Sequence, residues 1–486
     1  MSPLVALLPL PLLICVMALW CRSVRFLARG SAILAGLQLV VTLVVCARFL
    51  GVSDKAAVVA HGFRLDGTSA FFLVLSSLVV AAALAHAVAF FDAEMAAEHA
   101  PTDRDVAQVY GFTALFLISM YGVVAADDLG LLWISLEAST LLSAPLVYYH
   151  RTRTSLEATW KYLIVCSVGI AFAFFGTAML FAASQRVEGL GDAGSLSIAA
   201  LTTHARSLPV PLLRLGFVFM LLGYGTKAGL FPLHSWLPDA HSEAPAPISA
   251  VLSGALLNCA LVALWRLVQI LDAAGQQTFV HATLLPMGAL TALAASLFLL
   301  RQHDLKRLWA YSSMENVGLM ATAIGLGSGS GFLLLALNHS VAKVALFLLA
   351  GNMIQEHGTK RMRRLHGLLT AQPLQSCGVL AAAVAVVGSP PFGSFLAEWQ
   401  ILKAAADLGM TTVVVTLLAA LAIAFVAVTI QMSGILLGPA PPTSTGVTTE
   451  NPAAFVTVPI LLVLAALVLG LALPPAVLAL AQGGAL

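Results

Sequence analysis

Ionisable side chains stand at only a few positions inside the long apolar runs of this sequence, and those are the positions where chemistry is available. Glu137 lies in LLWISLEASTLL, with Ser139 and Thr140 beside it. A carboxylate in such company must be protonated, paired with a cation or in touch with water. Lys227 lies in GYGTKAGLFPLHSWLPDAH, where Gly223, Gly225, Gly229, Pro232 and Pro238 read as a helix break, and His234, Asp239, His241 and Glu243 follow closely. His339 and Lys343 are one helical turn apart, so both project from the same face and offer two stepping stones for a proton. Glu398 follows a second break, GSPPFG. Glu315, in AYSSMENVG, and Asp304, heading HDLKRLWAYSS, rank lower. The plainer readings are an ion pair joining two helices for Glu137, a packed re-entrant hairpin with Lys227 as a static counter-ion, a hydrogen-bonded core residue for His339, and an interfacial pair of Glu398 with Lys403. An ionisable group at membrane depth is costly, however, and marks a functional site by default.

The elements that position these groups follow from composition. The chain has 486 residues, 60% hydrophobic and 9% charged, with a mean hydropathy of +0.97. An ordinary soluble domain carries roughly 25% charged residues, so a soluble globular fold is excluded and most of the surface faces lipid. Apolar runs long enough for a helical span of about 20 residues recur along the chain and predict about fourteen spans. They are too long and too continuously apolar for β-barrel strands. Residues 3–21 read as the first span, because no basic segment precedes them and no cleavage site follows. The expected fold is therefore an all-α integral membrane protein with discontinuous helices 7 and 12. A second broken helix five spans after the first suggests two inverted repeats of five helices. That gives helices 1–3 over 1–107, a first repeat (helices 4–8) over 108–271, a second (helices 9–13) over 272–437, and a C-terminal helix over 438–486.

Lys and Arg are more frequent in connections after odd-numbered spans, which places both termini on the outer side of the membrane. The run Lys360, Arg361, Arg363 and Arg364 reads first as part of that topology signal rather than as a lipid headgroup site. A net charge of +2 with no basic patch beside aromatics gives no reason to expect nucleic acid. The six cysteines form no CxxC pair and read as small hydrophobes packed between helices, so no metal or cluster site is expected on this chain. No phosphate-binding glycine loop is present either.

Four stretches in order, LLWISLEASTLLSAPLVYYHRT, GYGTKAGLFPLHSWLPDAHSEAPAPISAVLSG, HDLKRLWAYSSMENVG and NHSVAKVALFLLAGN, resemble the antiporter-like membrane subunits of respiratory complex I, multisubunit Na+/H+ antiporters and membrane-bound hydrogenases. Within that superfamily, LEATWKYLIVCSVGIA and DAHSEAPAPISAVLSGALLNCAL most resemble component F of hydrogenase-4 and formate hydrogenlyase type complexes. The resemblance implies that Glu137 is the acid of the fifth span and Lys227 its ion-pair partner on the seventh. It further implies that His339 and Lys343 are the central pair of the eleventh and Glu398 the acidic residue of the twelfth. Asn258 stands where complex I subunits of this kind usually carry a lysine, a departure that fits the hydrogenase branch.

By the same resemblance, the chain is expected to be an H+- or Na+-translocating subunit in the inner (plasma) membrane of a prokaryote. Its partners would be other membrane subunits and a peripheral hydrogenase and iron–sulfur arm, whose nickel–iron centre and clusters supply the redox chemistry. The rival readings are a self-sufficient or Mrp-type cation/proton antiporter without redox partners, and a scaffold whose buried charges only hold helices together.

Overall fold

A computed structural model describes residues 3–21, 23–50, 58–60, 62–96, 101–188, 195–439 and 452–472. The chain folds as a bundle of apolar helices: α1 Pro9–Trp20, α2 Val24–Leu50, α3 Gly67–Met95, α4 Asp103–Ala125, α5 Leu129–Val147 and α6 Arg153–Ser184. A short α7, Ile198–Thr203, crosses the connection between α6 and α8, Val210–Ala228. Then come α9 Leu237–Glu243, α10 Ala246–Val251, α11 Leu257–Ala273, α12 Gln277–Leu299, α13 Leu305–Gly325 and α14 Gly329–His357. The chain continues through α15 Leu368–Ala371, α16 Pro373–Val386, α17 Gly393–Asp407, α18 Thr411–Leu436 and α19 Pro452–Leu471. The helical expectation holds apart from one small hairpin, β1 Val58–Ala60 with β2 Phe63–Leu65.

Among the described residues, ten helices are long and apolar enough to cross a membrane, and three shorter apolar ones accompany them. That measure does not by itself reach the fourteen spans the sequence suggests. The reason lies in composition: α13 is long enough but carries Ser312, Ser313, Glu315 and Asn316, all buried, and the expected twelfth span is divided into α16 and α17. Residues 473–480 of the expected last span lie outside the described residues.

Both expected breaks are present. Helix α8 stops where Gly229 adopts φ +82°, a conformation that costs a side-chain-bearing residue free energy, and the chain resumes as α9. Gly388, at φ +66°, separates α16 from α17 in the same way. Gly223 and Gly225, read from the sequence as part of the first break, lie inside α8 instead. A Cβ on Gly223 would come within 2.5 Å of the Gly169 carbonyl oxygen, so this glycine lets α8 pack backbone-to-backbone on α6. Gly318 does the same on α12, where a Cβ would meet the Gly288 oxygen at 2.7 Å.

The connection between α10 and α11, read as a continuous span, contains a π-turn over Leu252–Leu256. Such turns leave a carbonyl without its usual helical partner and are common at functional sites. Matching devices recur in the two halves. Asp128 caps α5 and forms a bridge with Ser197, while Asp304 caps α13 and forms a bridge with Arg361.

At one end of the bundle, the buried Arg266 guanidinium grips Asp66 with two bonds of 2.7 and 2.8 Å, tying α11 to the start of α3. Arg64 joins the same carboxylate at 2.8 Å. Burial by itself raises the Asp66 pKa, but the Arg266 guanidinium and then Arg64 hold it well below the usual carboxylate range.

Candidate functional site

Lys227 sits one residue before the end of α8 and is fully buried. Its ammonium donates to Thr140 Oγ1 of α5 at 2.7 Å and to Tyr162 OH of α6 at 2.8 Å. The ammonium also lies 4.9 Å from the Tyr162 ring centroid, and that ring packs on Trp236. Trp236 in turn donates to the Thr226 carbonyl at 2.8 Å, which fixes the broken segment against the end of α8. Tyr162 and Ser143 share a further hydrogen bond of 2.7 Å.

Glu137 does not form the expected ion pair with Lys227. It accepts from Ser167 Oγ at 2.8 Å, and its second oxygen is buried without a partner among the described residues. Glu137 and Thr140 are about one turn apart on α5, and it is Thr140 that meets the lysine. The acid and the lysine are thus bonded to different neutral hydroxyls, Ser167 on one side and Thr140 and Tyr162 on the other.

In the other half, His339 and Lys343 both lie on α14, fully buried as their spacing predicts. The Lys343 ammonium donates to the Trp309 carbonyl of α13 at 3.0 Å and lies 5.7 Å from that ring. Both ring nitrogens of His339 are buried without hydrogen-bond partners among the described residues. His241, on α9, likewise leaves both nitrogens unpartnered and stacks on Phe347 of α14 at 4.9 Å. Phe347 is one turn beyond Lys343, so the first broken helix reaches to the second half's central lysine.

Asn258, on α11, ties that helix to α14. Its amide donates to the Gly254 carbonyl at 3.0 Å and to Ser340 Oγ at 2.8 Å, while its own oxygen is buried without a partner among the described residues. Ser340 also donates to the Gly254 oxygen, so the carbonyl exposed by the π-turn is taken up by the α14 hydroxyl and the Asn258 amide. Ser253 and Ser313 join the same turn to α13 at 2.8 Å, and Ser313 donates to the carbonyl of Trp309 that receives Lys343.

Glu315 is buried and accepts from Asn316 at 2.7 Å, whose amide also reaches the Val386 carbonyl at the second break. Glu398 is buried against that break: a Cβ on Gly388 would lie 1.8 Å from Glu398 Oε2. Its other oxygen has no partner among the described residues. Lys403, the partner of Glu398 in the plainer reading of the sequence, pairs instead with Asp407.

Three of the acids near these motifs stand apart from the buried row. Asp304 spends one oxygen capping α13 and the other on Ser242 at 3.0 Å. Asp239 pairs with Lys161 and Arg307, each at 2.6 Å, and Glu243 with Lys360 at 2.7 Å. Tyr162, Ser340, Ser253, Ser313 and Trp309 escape a sequence reading, because one hydroxyl or indole in an apolar run looks like any packed residue. His86, which bonds Asn352 at 2.9 Å, is another such contact. Among the described residues no group of three or more His, Cys, Asp or Glu side chains is placed to hold a metal ion.

The arrangement is a set of ionisable groups, buried except for the half-buried Glu137, in which the two lysines are held by neutral oxygens while His339 and His241 have no hydrogen-bond partner among the described residues. Groups of this kind can exchange protons when water bridges the gaps, because among the described residues no ion pair holds any of them in one state.

Residues 126–424 match the family described as NADH:quinone oxidoreductase/Mrp antiporter, TM. The chain is 37% identical over 355 residues to a hydrogenase-4 component F homolog of Methylacidiphilum infernorum (isolate V4), covering 71% of this chain and 74% of that one. Its fold matches a chain of the membrane-bound sulfane sulfur reductase, an archaeal respiratory membrane complex, with a TM-score of 0.86 at 24% identity, covering 100% of this chain and 97% of that one. It also matches a chain of the Mrp complex from Dietzia sp. DQ12-45-1b, with a TM-score of 0.84 at 22% identity and coverage of 100% and 97%. With its buried lysines and two broken helices, the chain belongs to the transmembrane family of NADH:quinone oxidoreductases and Mrp antiporters.

Proposed function

We propose that this chain is the ion-translocating, antiporter-like subunit of a membrane-bound hydrogenase or related complex I-like complex in a prokaryotic plasma membrane. It moves H+ or Na+ along Glu137, Lys227, Asn258 with adjacent water, His339, Lys343 and Glu398. Nickel–iron and iron–sulfur chemistry belongs to partner subunits in this reading. Regions 108–271 and 272–437 act as two inverted repeats, each contributing one broken helix.

One observation carries the reading. Lys227 and Lys343 are fully buried, and their recorded hydrogen bonds run to hydroxyls and a backbone carbonyl rather than to carboxylates. A structural lysine in lipid-facing protein would be locked to an acid, since breaking such a pair leaves an uncompensated charge. A lysine held by neutral oxygens can give up its proton and remain hydrogen-bonded. Lys227 would hold or release that proton according to whether Glu137, about one turn from Thr140 on α5, is charged.

The Mrp-type reading, without redox partners, is favoured by the likeness to the Dietzia chain and uses the same row. Purification separates the two. Co-purifying iron–sulfur and nickel–iron subunits support the first, and ion exchange by the chain without them supports the second.

A further inference from the structure

The end of the bundle where α12, α14 and α18 meet their connections carries basic residues that the ion path does not use. Arg361, Arg363 and Arg364 lie in or beside a 3-10 turn, Met362–Arg364, which is pinned on both sides. Met362 donates its backbone N–H to the His303 carbonyl at 3.0 Å, and Gly367 donates to the Leu437 carbonyl at 3.0 Å. The turn is therefore a fixed platform rather than a loose loop.

Lys360, the first residue of the run, is neutralised by Glu243 at 2.7 Å and Asp304 at 3.7 Å. Arg361, Arg363 and Arg364 have no acidic partner among the described residues, nor has Arg301 across from them, and all four are exposed. Asp304, the carboxylate that lines a cavity with them, is already committed to capping α13 and to Ser242. A topology signal needs positive charge near a span, but it does not need those charges to converge on one cavity.

They do converge. A cavity of about 510 Å³ is lined by His303, Lys360 and the three arginines, with Asp304 at its wall. A second, of about 380 Å³, shares His303 and Arg363 with it and adds Arg301. Leu300, Met362 and Ile435 line the second beside Gln302 and Gln431, and at Gly434 a Cβ would meet nothing within 4 Å. From there an exposed apolar face runs away from the charges along Val426 and Ile430 of α18 and Leu290 and Leu297 of α12.

We propose that this is a binding site for an acidic phospholipid. The phosphate sits between Arg361, Arg363, Arg364 and Arg301, and an acyl chain runs past Gly434 along the α12–α18 face. Arginine suits phosphate because its planar fork donates two parallel hydrogen bonds. The contiguous apolar face favours a lipid over an acidic loop of another subunit, which would need polar cover along the same path. The ends of three helices and two connections meet here, so an occupied site would brace the second half of the bundle.

The test uses the full chain, with whatever subunits co-purify, in native mass spectrometry with added phosphatidylglycerol, phosphatidylcholine or inorganic phosphate. The proposal expects phosphatidylglycerol adducts that survive activation which strips phosphatidylcholine. In the variant R361Q/R363Q/R364Q their affinity falls at least about tenfold, since each basic residue near an acidic lipid contributes a several-fold factor. A charge-matched control, R104Q/R153Q/R206Q, leaves the adducts in place. G434L obstructs the groove and weakens phosphatidylglycerol retention without changing inorganic phosphate binding, which separates a lipid from a free anion. Equal phosphatidylglycerol retention by the triple variant and the unaltered chain overturns the proposal. So does loss of a co-purifying protein while lipid adducts persist, which would make the surface a subunit contact.

Discussion

The Lys227 ammonium is bonded to the Thr140 hydroxyl at 2.7 Å, while Glu137, one turn away on the same helix, is bonded to Ser167. Acid and base are thus each bonded to neutral hydroxyls rather than to each other. That geometry suits a pair whose charge state changes, because neither member depends on the other to satisfy its hydrogen bonds.

Tyr162→Phe removes one of the two acceptors that hold Lys227. A hydrogen bond to a charged group contributes about 1.5–3 kcal/mol, so transport is expected to fall roughly tenfold or more while helix content is unchanged. Tyr110→Phe is the control, since the Tyr110 hydroxyl is buried without a partner among the described residues and its removal is expected to be near neutral. Proton uptake by reconstituted vesicles measures both, and equal loss in the two variants would show that general packing, not the lysine's acceptor, was disturbed.

Gly388→Ala should be costly at the second break. The position has φ +66°, where a side chain costs about 1–2 kcal/mol, and the added carbon would displace the Glu398 carboxylate. Gly434→Ala, inside α18 with open space around it, is expected to be neutral or stabilising by up to about 1 kcal/mol. Thermal unfolding in detergent ranks them, and the same ranking is expected for transport only at Gly388.

The pH dependence of stability tests the Asp66–Arg266 clamp. Asp66 in the folded chain has a pKa below its unfolded value, so its contribution is fully present above the ordinary Asp pKa of about 3.9 and is lost as pH falls through the folded value. Asp66→Asn leaves Arg266 buried without its partner and is expected to cost about 3–5 kcal/mol near neutrality. The variant should also lose part of the acid-induced drop in Tm. An unchanged acid limb would mean that other carboxylates govern it.

Much of this architecture is legible in the sequence because membrane depth makes charge scarce. Glu137, Lys227, His339, Lys343, Glu315 and Glu398 all stand out against apolar neighbours, and all except the half-buried Glu137 are buried. Gly229 and Gly388 announce the breaks through nearby prolines. What stays hidden depends on contacts between helices. Gly223 reads as a breaker but serves as a packing surface for α6, and the π-turn at Leu252–Leu256 has no composition signal. Tyr162 and Thr140 take the place expected of Glu137 only because of how α5, α6 and α8 rotate against one another.

The claim that Lys227 and Glu137 work as a titrating pair is tested most directly by ion transport in inverted membrane vesicles carrying Lys227→Ala or Glu137→Gln. Assembly of each variant is verified by the co-purifying subunits. The account predicts that coupled ion movement is abolished in both while redox activity on the partner chains persists. Undiminished transport by both variants would contradict it.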